Sequence, residues 1–207
     1  MIMKIIGLTG GIATGKSTVT QLLTKQGHLV IDADVIVLEL QEKGSPLLKE
    51  LSKAFGSTIL NKDGSLNRDV LGKLIFPDKE KRNLLNSIIH PLVRLEFEKR
   101  IASIESDLLF LDIPLLFEAK FDDLADLTLV IATSSTKQLE RLMLRDDLTK
   151  QEAQARIAAQ MPLTEKIKLA NFVIDNDGDL CELKEKIEKF LGEIKISKVE
   201  SNGTNET

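Results

Sequence analysis

Tryptophan and tyrosine are absent from the 207 residues, and there is one cysteine and two histidines. Without Trp or Tyr the usual base-stacking platforms of single-strand nucleic-acid binding are missing, although eight Phe remain. The formal charge of −4 and a pI near 5.4 leave no basic excess for a phosphate backbone. Cys181 alone cannot close an intramolecular disulfide and reads as a small apolar residue of a C-terminal helix, which suits a reducing compartment. Two histidines and one cysteine argue against a dedicated zinc site. Apolar runs stay well short of the roughly eighteen residues of a membrane span. The N-terminus runs into a strand and a glycine-rich loop, not a secretory leader, so the expectation is a cytoplasmic protein that binds neither nucleic acid nor membrane and needs no protein partner.

What the chain does have is concentrated at its start. "GLTGGIATGKST" (7–18) contains Gly10, four residues, then Gly15-Lys16-Ser17, the spacing of a phosphate-binding loop. Such a loop points backbone N–H groups inward, and Gly10, Gly11 and Gly15 are the expected turning points. The phosphates are expected on Gly11, Ile12, Ala13, Thr14, Gly15, Lys16, Ser17 and Thr18. A helix opening near Lys16 adds unpaired N–H groups and the positive end of its dipole. Lys16 supplies a mobile charge for the β- and γ-phosphates, and the Ser17 hydroxyl a ligand for Mg²⁺. The apolar "KIIGLT" (4–9) before it and the helically spaced Val19, Leu22 and Leu23 after it give the required strand, loop and helix. The implied ligand is ATP or another triphosphate with Mg²⁺.

Four more apolar runs read as buried strands: "HLVID" (28–32), "LLFLDIP" (108–114), "LTLVIAT" (127–133) and "NFVID" (171–175). They do not alternate, so both faces should be covered, as in a parallel sheet with helices on each side. The expected fold class is α/β, with a five-stranded parallel sheet in three layers. Residues 35–106 form a long, mostly helical insertion. Ser45-Pro46, Asn67 and Asp78 mark helix starts, Gly56 a stop and "NKDG" (61–64) a turn, while His90-Pro91 is expected to divide a long amphipathic stretch. Residues 135–166 read as a helical hairpin with a Thr149–Glu152 capping box. Arg141 and Arg145 share a helix face there, with Arg156 across the turn; they are either a lid over the triphosphate or a solvated face. Core 1–34, 107–134 and 167–196 completes the division, with 197–207 a polar, unstructured tail.

Asp32 and Asp34 in "IDAD" sit where the second strand ends. A carboxylate there accepts the proton of an attacking hydroxyl or organises Mg²⁺. Helix capping explains Asp34 better than Asp32, because Asp34 immediately precedes "VIVLEL"; Asp32 is therefore the candidate for chemistry. Asp112 ends a hydrophobic strand and is either a Walker-B-like Mg²⁺ residue or an ordinary strand end. His90 either reads a phosphate or completes a helix. A nucleotide-switch GTPase would need D-x-x-G and N-K-x-D, but Asp112 is followed by Ile-Pro-Leu and Asn61-Lys62-Asp63 lacks the intervening residue. A mechanical ATPase would carry Asp-Glu where Asp112-Ile113 stands. A small-molecule kinase fits best, another nucleoside or nucleotide kinase being the alternative.

Eight blocks together resemble the dephospho-coenzyme A kinase family: the loop at 7–18, "VIDAD" (30–34), "NRDVL" (67–71), "IHPLV" (89–93), "DIPLLFE" (112–118), "QLERLMLRDDLT" (138–149), "RIAAQMP" (156–162) and "VIDNDG" (173–178). The likeness spans residues 4–192. Ala13 stands where the family often has Gly, a minor departure if its φ is negative, and Asn171 where Asp is common. The resemblance implies a P-loop kinase fold with an inserted helical CoA-binding domain and a helical lid. It implies transfer of the ATP γ-phosphate to the ribose 3′-hydroxyl of dephospho-CoA, the last step of CoA synthesis. By position, Asp32 then handles the hydroxyl, and Lys16, Arg141 and Arg145 neutralise the moving phosphoryl group. Arg68, His90 and Phe117 face the acceptor, Asn176 lies near adenine, and Ser17 and Asp112 hold Mg²⁺.

Overall fold

The computed structural model describes the backbone of residues 3–202 and the side chains of residues 3–194. The chain divides into two compact units, one made of Met1–Val30 with Ser106–Thr207, the other of Ile31–Glu105.

The chain carries a five-stranded sheet, of which all but the last two residues of its second strand belong to the first unit. Its strands are β1 (Lys4–Gly10), β2 (Leu29–Asp32), β3 (Leu108–Asp112), β4 (Leu127–Ala132) and β5 (Phe172–Asp175), in the order β2-β3-β1-β4-β5. The pairs β1–β3, β1–β4 and β4–β5 are parallel. The central strands β1, β3 and β4 are apolar runs because both faces are buried, whereas the edge strands β2 and β5 leave Leu29 and Val173 exposed. Ile6, Leu8, Phe110, Leu129 and Ile131 meet α1 (Lys16–Lys25) through Val19 and Leu23, and α9 (Leu180–Asn202) through Leu183, Ile187 and Phe190. Leu109, Leu111 and Val130 are equally buried on the other side of the pleat.

Between β4 and β5 lie α6 (Ser135–Asp146), α7 (Lys150–Ala158) and α8 (Leu163–Leu169). The hairpin expected over 135–166 is therefore only α6 and α7, which pack on each other. Pro162 ends that arrangement and becomes the N-cap of α8, which packs against β4 and carries the fully buried Lys166. The capping box forms as expected: Thr149 Oγ1 accepts from Glu152 N–H, and Glu152 Oε2 accepts from Thr149 N–H at 2.9 Å. Helix α9 enters the expected tail, its backbone remaining helical to Asn202, since no Gly or Pro interrupts the sequence from Glu193 to Asn202. Residues 203–207 of that tail lie outside the described residues.

The second unit is helical: α2 (Ala33–Leu40), α3 (Pro46–Phe55), α4 (Arg68–Ile75) and α5 (Lys79–Ser103), with α2, α3 and α4 each packed on α5. Ser45, Asn67 and Asp78 each accept the N–H three residues on, as N-caps should. Pro91 does not divide α5, which runs through it. The proline removes one backbone donor, but Ile89, Val93 and Phe97 form a buried stripe at four-residue spacing on both sides of it, and that packing keeps the helix continuous. Arg100 ties α5 to α2 by pairing with Glu39 while holding Glu96 at 2.9 Å.

Candidate active site

The phosphate loop leaves β1 at Gly10 and enters α1 at Lys16. Its glycines are required for two different reasons. Gly15 has φ +94°, and a Cβ there would come within 2.1 Å of Asn176 Nδ2. Gly10 and Gly11 are not left-handed, contrary to expectation; they are glycine because of closeness. A Cβ at Gly10 would lie 2.7 Å from the Ile131 carbonyl oxygen, and one at Gly11 would lie 2.6 Å from Gln138 Nε2. The second left-handed residue of the loop is Ala13, at φ +60°. The expectation of a negative φ is thus overturned, and the methyl group sits in a conformation that costs an L-residue roughly 1–2 kcal/mol.

Hydrogen bonds from distant elements fix this loop. Ile12 N–H donates to Gln160 Oε1 and Ile12 C=O accepts from Gln138 Nε2, both at 2.9 Å. Asn176 Nδ2 donates to the Thr14 carbonyl at 2.8 Å, and the buried Thr14 hydroxyl donates to Gly11 C=O at 2.9 Å. The first N–H groups of α1, at Lys16 and Ser17, have no intrahelical acceptor and open onto a pocket lined by residues 10–17, Pro114 and Gln160. That is an anion site made of backbone donors and a helix N-terminus.

Asp112, at the end of β3, is 2% exposed. Its carboxylate receives the Lys16 ammonium on Oδ1 and the Thr20 hydroxyl on Oδ2 at 2.6 Å. A buried carboxylate needs such partners. Lys16 is accordingly held at the phosphate pocket that it lines, 17% exposed and paired with the buried Asp112. Ser17 is exposed on the same turn of α1. A hydroxyl at a helix start and a carboxylate at a strand end are the hard oxygen donors that suit a largely hydrated Mg²⁺.

A second pocket, lined by Gly15, Thr18, Arg141, Asn176, Asp179 and Leu180, adjoins the loop. Arg141 donates to the Asn176 carbonyl at 3.0 Å, and Asn176 N–H to Ala132 C=O at 2.8 Å. Arg145 does not point with Arg141. It clasps Asp146 at 2.8 and 3.1 Å, and Arg156 reaches the same carboxylate at 2.7 Å. The hydrogen bonds from Arg145 hold the Asp146 carboxyl below the usual range, and Asp146 raises the Arg145 guanidinium in return. Asp177 is lowered by the Thr133 hydroxyl and Ser134 N–H that it accepts at 2.5 and 2.9 Å, a contact that seats the start of α6.

Lys166, Glu118, Gln138 and Gln160 escaped the sequence reading. Lys166 is completely buried, and its Nζ reaches Glu118 Oε1 at 2.9 Å, Pro114 C=O at 2.9 Å and Gly10 C=O at 3.3 Å. Glu118 Oε1 also accepts from Met161 N–H at 3.1 Å. The ammonium therefore fixes the loop after β3 and the start of the phosphate loop to α8. Phe117, in that same loop, is 9% exposed and belongs to the core.

In the second unit, Asp32 is the N-cap of α2, its Oδ1 accepting from Asp34 N–H at 2.7 Å. Capping thus falls to Asp32, the reverse of the expectation, because α2 begins at Ala33, one residue earlier than the apolar run suggests. The cap occupies one carboxylate oxygen. Arg68 is exposed at the first position of α4. His90 is half-buried on α5, where burial pushes its imidazole below the ordinary histidine value.

The family model for dephospho-CoA kinase matches residues 4–182. The dephospho-CoA kinase of Bacillus cereus is 47% identical over 190 residues, covering 90% of this chain and 95% of that one. A crystal structure of a Thermus thermophilus protein superposes with a TM-score of 0.81 at 36% identity, covering 93% of this chain and 98% of the other. Dephospho-CoA kinase from Campylobacter jejuni superposes with a TM-score of 0.70 at 29% identity over the same shares. The chain belongs to the dephospho-CoA kinase family.

Proposed function

We propose that this chain transfers the γ-phosphate of ATP to the ribose 3′-hydroxyl of dephospho-CoA, releasing ADP and CoA, as the last step of CoA synthesis in the cytoplasm. The observation that carries the reading is the phosphate loop, clamped by three distant side chains and facing Lys16, in a chain of this family. The acceptor oxygen attacks the γ-phosphorus, the bond to the β–γ bridging oxygen breaks, and the hydroxyl proton passes to Asp32. Asp32 has one carboxylate oxygen committed to its cap and a second for that proton.

Lys16 follows the charge onto the bridging oxygen, and within the loop 11–18 the N–H groups of Ala13, Gly15, Lys16 and Ser17 hold the phosphates. Ser17 and Asp112 would hold Mg²⁺, which when bound neutralises phosphate charge. Arg141 and Asn176 line the pocket assigned to the nucleoside, and Arg145 is assigned to the phosphoryl group on closure. Arg68, His90 and Phe117 are each assigned to the acceptor by their positions in the family's blocks, Arg68 and His90 on the helical unit and Phe117 in the core of the first unit. No nucleic acid, membrane or protein partner is required, and no described helix is long and apolar enough to cross a membrane.

Release of ADP with dephospho-CoA as sole added acceptor tests the activity, and phosphorus NMR of the product tests the position. The expected product is the 3′-phosphate and not the 2′-isomer, because a carboxylate fixed at a strand end reaches one hydroxyl. AMP should be a poor acceptor, lacking the pantetheine arm that helps position the ribose. Phosphorylation of AMP at its 5′-phosphate with equal efficiency would make the protein a nucleotide kinase instead.

A further inference from the structure

Ala13 keeps a left-handed φ of +60° in a loop where glycine would adopt it freely. Something must hold it there. The φ of Ala13 is set by the orientation of the Ile12–Ala13 peptide, and the oxygen of that peptide is the one that Gln138 Nε2 grips at 2.9 Å. The preceding peptide is gripped from the other side, its Ile12 N–H donating to Gln160 Oε1 at 2.9 Å. Two successive peptides are therefore fixed by two amide side chains, one accepting and one donating.

Neither glutamine belongs to the loop. Gln138 lies on α6, is 5% exposed, and has its own N–H bonded to Ser134 C=O at 2.9 Å, beside the Asp177 contact. Gln160 lies between α7 and α8. Its neighbour Met161 is held by Glu118, and Glu118 by the buried Lys166. Both grips are thus anchored by further hydrogen bonds and an ion pair of the first unit, and they stand at the two ends of the α6–α7 hairpin.

We propose that Gln138 and Gln160 are positioning residues that hold the phosphate loop in its nucleotide-ready form against the relaxation of Ala13. Without the Gln138 grip, the Ile12–Ala13 peptide turns, Ala13 moves to negative φ, and the Ala13 N–H, which belongs to that peptide, loses its orientation in the loop. Apparent ATP affinity then falls by the fraction of molecules that keep the competent loop. The inference rests on the phosphate loop being the ATP site.

A double-mutant cycle tests it. Gln138→Met keeps the shape of the side chain and removes its hydrogen bond. It should raise the KM for ATP roughly tenfold, with a smaller change in kcat and none in the KM for the acceptor. In the Ala13→Gly background, where positive φ carries no strain, the same change should cost about threefold or less. Equal fold-changes in the two backgrounds, or an unchanged KM for ATP, would overturn the proposal. Gln160→Met, at a half-buried position, enters the same cycle if Gln138→Met does not fold. A nucleotide-free measurement decides the clamp independently. Exchange of the Ile12 amide should be slow in the wild type and at least about tenfold faster in Gln160→Met, and equal rates would show that the grip is absent. Wild-type protein that binds no ATP analogue would fail the functional reading, whatever the Ile12 exchange rates show.

Discussion

Lys166 Nζ lies 2.9 Å from Glu118 Oε1, with the lysine wholly inside the protein and the glutamate side chain 22% exposed. The pair joins α8 to the loop after β3, and the same ammonium touches the carbonyls of Gly10 and Pro114 on either side of the phosphate pocket. Removing one member strands the other. Lys166→Met should destabilise the fold by about 3–5 kcal/mol, the cost of breaking a buried pair, because Glu118 Oε2 is itself buried without a hydrogen-bond partner. Adding Glu118→Gln should recover part of that loss. Urea unfolding of the single and double variants measures both quantities, and strictly additive losses would mean that the two residues act separately.

Asp32 combines a cap with a proposed proton acceptor, and the two roles separate by substitution. Asparagine caps a helix as well as aspartate but is not a base. Asp32→Asn should therefore leave the melting temperature nearly unchanged while kcat falls by a factor on the order of 10²–10⁴. Asp32→Ala should lose the same activity and roughly 1 kcal/mol of stability besides. If Asp32→Asn stays active, the carboxylate serves α2 and nothing else.

His90 gives the helical unit a pH dependence of predictable sign. Burial holds its folded-state pKa below the ordinary 6.5. The unfolded chain therefore takes up a proton first as pH falls. The stabilisation from neutral His90 is complete above pH 6.5 and is lost as pH drops through the folded value. Urea unfolding from about pH 7 to 5 should show falling stability, with a shallower fall in His90→Gln. Asp146 and Asp177, both lowered, keep their contributions across that window and lose them only in more acid solution.

The strands and most helix starts were legible because their causes are local. An unbroken apolar run signals a strand covered on both faces, and Ser45, Asn67, Asp78 and Thr149 cap within three residues of themselves. Pro91 misled for the complementary reason: its cost is local, while the stripe of Ile89, Val93 and Phe97 that outweighs it acts through packing. Ala13 was misjudged because φ is set by the peptide orientation that Gln138 fixes. Gln138, Gln160 and Lys166 reach partners 126, 148 and 156 residues away. Gln138 and Gln160 fall inside two of the family blocks and Lys166 outside them, but no local spacing announces the distant contact that each one makes.

Arg141 and Arg145 share a helix but not an environment, and this separates their expected effects. Arg141 already lines the pocket beside the phosphate loop that is proposed for the nucleoside, and bonds the Asn176 carbonyl. Arg141→Ala should therefore raise the KM for ATP as well as lower kcat. Arg145 is held on Asp146 with Arg156 beside it, so it contributes to phosphoryl transfer only by leaving that carboxylate. Arg145→Ala should then lower kcat by a factor on the order of 10³, as for an arginine that stabilises transferring charge, while ATP binds nearly as before. Asp146→Asn weakens the hold on Arg145 without removing it from the helix and should preserve kcat. Binding a nonhydrolysable ATP analogue should raise hydrogen-exchange protection over residues 141–165 in the wild type, and less in Arg145→Ala. Unchanged protection together with wild-type kcat in Arg145→Ala would assign Arg145, Asp146 and Arg156 to a solvated ion cluster that braces α6 against α7.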